Sequence, residues 1–222
     1  MLRAARAGDE AQIEAFLSGH AETSMFLRGN LRRYGLEDRE APHATAYWIA
    51  GTDEISAIFG LSNAGYVMMQ APAASPELFA AFAAEIAGRG VKGLTGVPEQ
   101  IAGAKRALGI ETAEFALDDP EPLYRLGLDD LHIPPGPGEI RAPTEGDRAL
   151  IFDWTRAYSA ELHMSTPDQL DEEARGRTDR ALTGGDMRLL EIDGTPVGMT
   201  AINARLPDMV QIGGVYTPPP LR

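Results

Sequence analysis

Between Ile133 and Gly138 the chain reads Ile-Pro-Pro-Gly-Pro-Gly, three prolines and two glycines in six residues. Proline lacks the amide N–H that a helix or a ladder needs, and its ring fixes φ. Neither a helix interior nor a central strand can run through this stretch. It is therefore read as a linker, dividing the chain into residues 1–132, the linker 133–138 and residues 139–222. With 222 residues in total, each side is long enough to form a modest core of its own.

The first side opens with helical spacing: Ile13, Phe16, Leu17 and His20 recur on one face. A second helix is expected over 25–36, stopped near Gly35. Strand-like runs follow at 44–50, 54–61 and 66–70, separated by the turn formers Gly51-Thr52-Asp53 and Ser62-Asn63-Ala64-Gly65. A helix over 76–87, a strand near 91–95 and a helix over 99–108 come next. Two further strands are expected, around 113–117 and 122–128.

The second side begins in the same way. A short strand at 139–142 leads to a helix over 145–163, with Leu150, Ile151, Trp154, Tyr158 and Leu162 along one face. Thr166-Pro167-Asp168 opens another helix that ends at Gly184-Gly185. Three antiparallel strands are expected at 187–192, 195–203 and 209–217. Asp193-Gly194 supplies the two-residue turn that needs positive φ.

The two three-stranded stretches share one plan of strand, glycine turn, strand, loop, strand and proline. Gly51 falls against Gly194, and Pro72 against Pro218. The expected fold is therefore mixed α/β in two tandem halves, each a mostly antiparallel sheet flanked by helices and related by an old internal duplication.

Composition narrows the function. A formal net charge of −13 argues against a nucleic-acid ligand, whose phosphates call for Lys and Arg. The same balance favours amines among cationic partners, because an acidic field concentrates them, although solubility alone explains it as well. The chain has no cysteine, which removes disulfides, thiolate metal sites and a Cys nucleophile and fits a reducing, cytoplasmic setting. No apolar run reaches membrane-spanning length, and the basic residues at the N-terminus lack the apolar stretch of a secretory signal. His20, His43, His132 and His163 are scattered without metal-ligand spacing, so no metal is expected. Gly88-Arg89-Gly90-Val91-Lys92-Gly93 matches a dinucleotide fingerprint in letters, but it follows a helix and enters a strand, the reverse of the required order.

The last strand carries the chemistry. Gln211-Ile212-Gly213-Gly214-Val215-Tyr216-Thr217 is an apolar strand with paired glycines, running into Pro218-Pro219-Pro220-Leu221-Arg222. Glycines inside a strand mark a bulge or the close approach of another backbone or ligand. A ligand with amides, such as the pantetheine arm of coenzyme A, can pair with such a strand through its main chain.

In this layout, and in the string Val-Tyr-Thr-Pro-Pro-Pro-Leu-Arg, the chain resembles the GNAT superfamily of N-acetyltransferases, in particular two-part bacterial members. The resemblance covers about 139–222 well and the first half loosely. It implies transfer of an acetyl group from acetyl-CoA to a primary amine of a small molecule or peptide, with no metal. It also implies that Gly214, Val215, Tyr216 and Thr217 border the acetyl-pantetheine, and that Leu221 and Arg222 begin the loop whose N–H groups hold the pyrophosphate. The rest of that loop would lie beyond Arg222, so the second half is expected to be incomplete at its C-terminus. The first half has no such loop: residues 71–77 hold no glycine and place Glu77 at a helix start, where an anion is repelled. It reads as a degenerate, supporting copy.

Acetyl transfer needs a group to take the amine proton. Tyr158 and Glu161 lie at the end of the helix that borders the acceptor in the resembled family. Core packing competes as the role of Tyr158, and a surface acid as that of Glu161. Gln211 either orients a substrate or pairs across the sheet. The rival reading is a non-catalytic fragment, or a module that keeps the fold without cofactor use and holds a peptide or small ligand. An unpaired last strand would favour self-association into a homodimer or poor solubility.

Overall fold

A computed structural model describes residues 1–163 and 165–222. The chain falls into two compact units, Met1–Ala113 and Glu114–Arg222. Its architecture is mixed α/β, with a five-stranded and a four-stranded sheet among the described residues.

The first unit runs β1 (Leu2–Ala4), α1 (Glu10–Ser18), α2 (Met25–Tyr34), β2 (Thr45–Gly51), β3 (Ile55–Ser62), β4 (Tyr66–Gln70), α3 (Pro76–Glu85), β5 (Gly93–Thr95) and α4 (Pro98–Leu108). The sheet order is β1-β2-β3-β4-β5, antiparallel except for the β4–β5 pair. Alternation along the central strands feeds two cores. Tyr47, Ile49, Ile58 and Met68 pack with Ile13, Leu17, Leu27 and Leu31 of the first two helices. Trp48, Phe59, Val67 and Met69 pack with Phe79 and Phe82 of α3 and Ala104 of α4. A sheet covered on both faces explains why these strands read as nearly continuous apolar runs.

The second unit begins with residues 114–138, whose only regular element is a short 3₁₀ turn, Leu128–Asp130. The strands expected at 113–117 and 122–128 do not form. Pro120 and Pro122 cannot donate to a ladder, and Asp118, Asp119 and Glu121 surround them with charge. Leu123, Tyr124 and Leu128 stay exposed as a result. Then come β6 (Glu139–Arg141), α5 (Arg148–Glu161), α6 (Leu170–Gly184), β7 (Met187–Ile192), β8 (Thr195–Arg205) and β9 (Val210–Tyr216), in the fully antiparallel order β6-β7-β8-β9. Asp193 and Gly194 have φ of 50° and 74°, the positive pair that a two-residue hairpin turn requires. One face of this sheet buries Leu189, Met199 and Tyr216 against Ile151, Trp154 and Tyr158 of α5. Ile140, Leu190, Ile212 and Val215 are exposed.

The first strand of each sheet carries the same device. In the first, the Arg3 guanidinium donates to both Asp9 carboxylate oxygens at 2.6 and 3.0 Å, and the Arg6 N–H donates to Asp9 at 2.8 Å. In the second, Arg141 donates to Asp147 at 2.7 and 2.8 Å, and the Thr144 N–H donates at 2.7 Å. Each Asp thereby ties its edge strand to the helix that follows. The underlying sequence is Leu/Ile-Arg-Ala-x-x-x-Gly-Asp-x-x-x-Ile, at Leu2–Ile13 and at Ile140–Ile151. Both terminal isoleucines are fully buried.

Candidate functional site

The end of α5 and the end of β9 enclose a cleft of about 370 Å³, lined by Tyr158, Glu161, Leu162, Val215, Tyr216, Thr217 and Arg222. A larger, open depression of about 690 Å³ lies along Glu37–Ala41. Its lining is one run of loop residues, and the Asp38 carboxylate there accepts from the Glu40 and Ala41 N–H groups. It brings no reactive groups together from different elements, so the smaller cleft is the candidate site.

The backbone shapes the cleft first. Met199 pairs with Tyr216 and Ala201 with Gly213, so Gly214 and Val215 together stand against Thr200. This is a β-bulge on β9, and Gly214 adopts φ 59° to make it, a conformation that costs other residues dearly. At Gly213 beside it, a Cβ would lie 2.6 Å from Cγ of Asn203, so a side chain there requires that exposed amide to swing away. Of the paired glycines, Gly214 is the one whose backbone conformation calls for glycine. The extra residue of a bulge drops out of the ladder and leaves main-chain polar groups unpaired beside Val215, which lines the cleft.

Side chains complete it. Tyr216 is 5 % exposed and its ring meets those of Tyr158 and Trp154 edge-on, each at 6.2 Å between centroids. Arg222 lies over the Tyr216 ring at 5.7 Å. Its Nε–H donates to the Thr217 carbonyl at 2.8 Å, and its two terminal nitrogens donate to the two Glu161 oxygens at 2.6 and 2.7 Å. That fork holds the Glu161 carboxyl below the usual carboxylate range, because the hydrogen bonds favour its charged form. On β9 itself, Gln211 stands opposite Ala204. Among the described residues its Oε1 is buried without a hydrogen-bond partner, as are the hydroxyls of Thr155 and Ser159 on α5.

The structure thus brings together Tyr158, Glu161, Val215, Tyr216, Thr217 and Arg222. Gly214 sits in the bulge just outside the lining, and Leu221 belongs to the 3₁₀ turn Pro219–Leu221. The sequence reading missed the Arg222–Glu161 pair, which joins residues 61 positions apart; no spacing rule reaches that far. In the first unit, the end of β4 is held by side chains of that unit. The Gln70 side-chain oxygen accepts from the hydroxyls of Thr23 at 2.7 Å and Ser24 at 3.2 Å. Ser75 caps α3 by accepting from the Leu78 N–H.

Among the described residues no group of three or more metal-ligating side chains forms, and no helix is long and apolar enough to cross a membrane. No family model matches the chain, and neither does any curated protein. Among solved structures, an acetyltransferase from the GNAT family from Colwellia psychrerythraea aligns over 98% of this chain and 77% of its own, at 10% identity and a TM-score of 0.36.

Proposed function

We propose that the second unit transfers an acetyl group from acetyl-CoA to a primary amine. The observation that carries this reading is the Gly214–Val215 bulge opening into a cleft that also holds a tyrosine, a carboxylate and a guanidinium. The edge of β9 offers main-chain donors and acceptors to an amide-bearing arm, and the residues present fit such a ligand. N–H groups at the bulge are suited to the thioester carbonyl as charge builds on it. When bound, acetyl-CoA supplies an activated acetyl group on a thiol leaving group. The amine nitrogen forms the new C–N bond as the C–S bond breaks, and Tyr158 or Glu161 takes the proton that the amine loses. Tyr216, held by Trp154 and Tyr158, fixes the floor on which both reactants lie. The two units share the order strand, helix, helix and three-stranded meander, and the Arg–Asp device on the first strand of each sheet; we read them as copies. The first, whose β4 end is held by its own side chains, serves as a supporting copy in the cytoplasm.

A second reading has one observation in its favour. Among the described residues, the charged side chains that line the cleft are Glu161 and Arg222, and they neutralise each other, as in a module that binds a neutral ligand without turning it over. Thiol release separates the two. Because the chain has no cysteine, every thiol that appears on mixing it with acetyl-CoA and a panel of amines comes from the donor. Amine-dependent release above the protein-free rate is the expected result. Binding of S-acetylpantetheine with no release at any amine concentration would favour the binding module.

A further inference from the structure

The Arg222–Glu161 pair does more than line the cleft. Arg222 is anchored independently of Glu161, by its Nε–H on the Thr217 carbonyl and by its stacking on Tyr216. Among the described residues, Glu161 makes its hydrogen bonds and ion pair with Arg222 alone. One partner is fixed and the other is tethered only to it. Both side chains are nearly half exposed, at 45% and 44%, so a solute can reach the pair without any backbone movement. A planar guanidinium fork binds phosphate oxygens in the same two-point geometry that it uses for a carboxylate.

From this geometry we infer that the pair is a latch: a phosphate group of the acyl donor takes the Arg222 fork and releases the Glu161 carboxylate into the cleft. The inference rests on the acyl-transfer reading for the identity of the donor, but the exchange itself needs no transfer. Before the donor arrives, Glu161 is ion-paired and weakly basic. After the exchange its carboxylate has lost the donors that favoured its charge and lies beside a new anion, so it becomes a better proton acceptor. It then sits one helical turn from Tyr158, on the cleft wall. Arg222 acts here as a positioning residue, and the Glu161 carboxylate does not serve as a base until a phosphate-bearing donor is present.

Inorganic pyrophosphate tests this without any acyl chemistry. The Glu161 side-chain carboxyl carbon, assigned by its loss in Glu161→Gln, is followed by NMR from about pH 3 to about pH 7, spanning the ordinary Glu titration. Saturating pyrophosphate is expected to move its midpoint upward, toward the ordinary glutamate value. At neutral pH, Glu161→Gln is expected to tighten pyrophosphate by about two- to fivefold, the worth of one exposed ion pair. Arg222→Gln is expected to weaken it by about tenfold or more, a lost charge-assisted fork. In the Arg222→Gln background the gain from Glu161→Gln should vanish; if it persists, Glu161 merely repels anions and there is no latch. Pyrophosphate that binds without moving the Glu161 midpoint, or that does not bind in the millimolar range, also overturns the proposal. None of these outcomes bears on acetyl transfer, which thiol release alone decides.

Discussion

The Asp147 carboxylate accepts from the Arg141 guanidinium, the Thr144 N–H and the Thr144 hydroxyl, all within 2.9 Å, and is 9% exposed. Asn in its place keeps the shape, loses the charge and turns an N–H₂ toward a guanidinium. Hydrogen bonds to charged groups contribute about 1.5–3 kcal/mol each, and breaking a buried pair costs about 3–5 kcal/mol. Here Arg141 is 31% exposed and keeps Glu191 at 2.9 Å, which reduces the expected cost of Asp147→Asn to about 2 kcal/mol. At about 4–8 °C per kcal/mol for a small domain, melting of the second unit should fall by roughly 10 °C. The folded carboxyl titrates far below its ordinary value because Arg141 and Thr144 donate to its charged form. As pH falls the unfolded chain therefore takes up the proton first. The contribution is complete above about pH 5 and is lost as pH drops through the unfolded value toward the folded one. Urea unfolding of wild type and Asp147→Asn at about pH 7 and about pH 3 should give a difference near 2 kcal/mol that shrinks to about half at the lower pH. Asp9→Asn is the internal control: its partner Arg3 is 49% exposed, so the cost should be about 1 kcal/mol. The Asp9 carboxyl is held down to about 2 by Arg3, so its contribution fades over the same acidic window. A difference that does not change with pH, or an Asp9 cost equal to that of Asp147, would refute this account of the staple.

Gly214→Val forces a branched residue to φ 59°, which should cost about 1–2 kcal/mol in stability and lower thiol release by about a hundredfold if the bulge N–H groups hold the carbonyl; undiminished release would remove the bulge from the mechanism. Tyr158→Phe keeps the edge-on contact with Tyr216, so stability should hold within about 0.5 kcal/mol, while release falls by about a hundredfold if the phenol moves the proton; an unchanged rate leaves Tyr158 as packing alone. Last in its sheet, β9 exposes Val210 and Ile212, and association is expected to rise with concentration. Ile212→Lys should suppress that rise in light scattering, and a wild-type chain that stays monodisperse at high concentration would count against it.

The strands and helices that bury an apolar face were readable because their period is written in the side chains. The 66–70 strand, the 187–192 strand and the Asp193-Gly194 turn have the expected bounds. What the period could not show is whether a partner exists. Residues 113–128 have an apolar count fit for strands, but Pro120 and Pro122 interrupt any ladder. Conversely, β1 is three residues long and only Leu2 is partly buried; it forms because Leu2, Arg3 and Ala4 find the free edge of β2. The staple was equally visible in the letters, since Arg3 to Asp9 and Arg141 to Asp147 have the same spacing. Apolar periodicity does not reveal it, because a polar pair at a strand end has no such period. In the cleft, the glycines marked the bulge. Which face held Tyr216, and that Arg222 reaches back to α5, follow only from the folded chain.

The two sheets differ in how much of each is covered, and amide hydrogen exchange should report it. Ile58, Phe59 and Val67 have no measurable exposure and sit in strands paired on both sides and packed on both faces. Their amides are expected to exchange only when the whole first unit unfolds, at the slowest rates in the chain. On β9 the ladder is paired on one side and broken at Gly214, so deuterium enters there through small local openings that leave the rest of the second unit folded. Labelling for seconds would then mark the strand that borders the cleft, and labelling for days would mark the one that carries the frame.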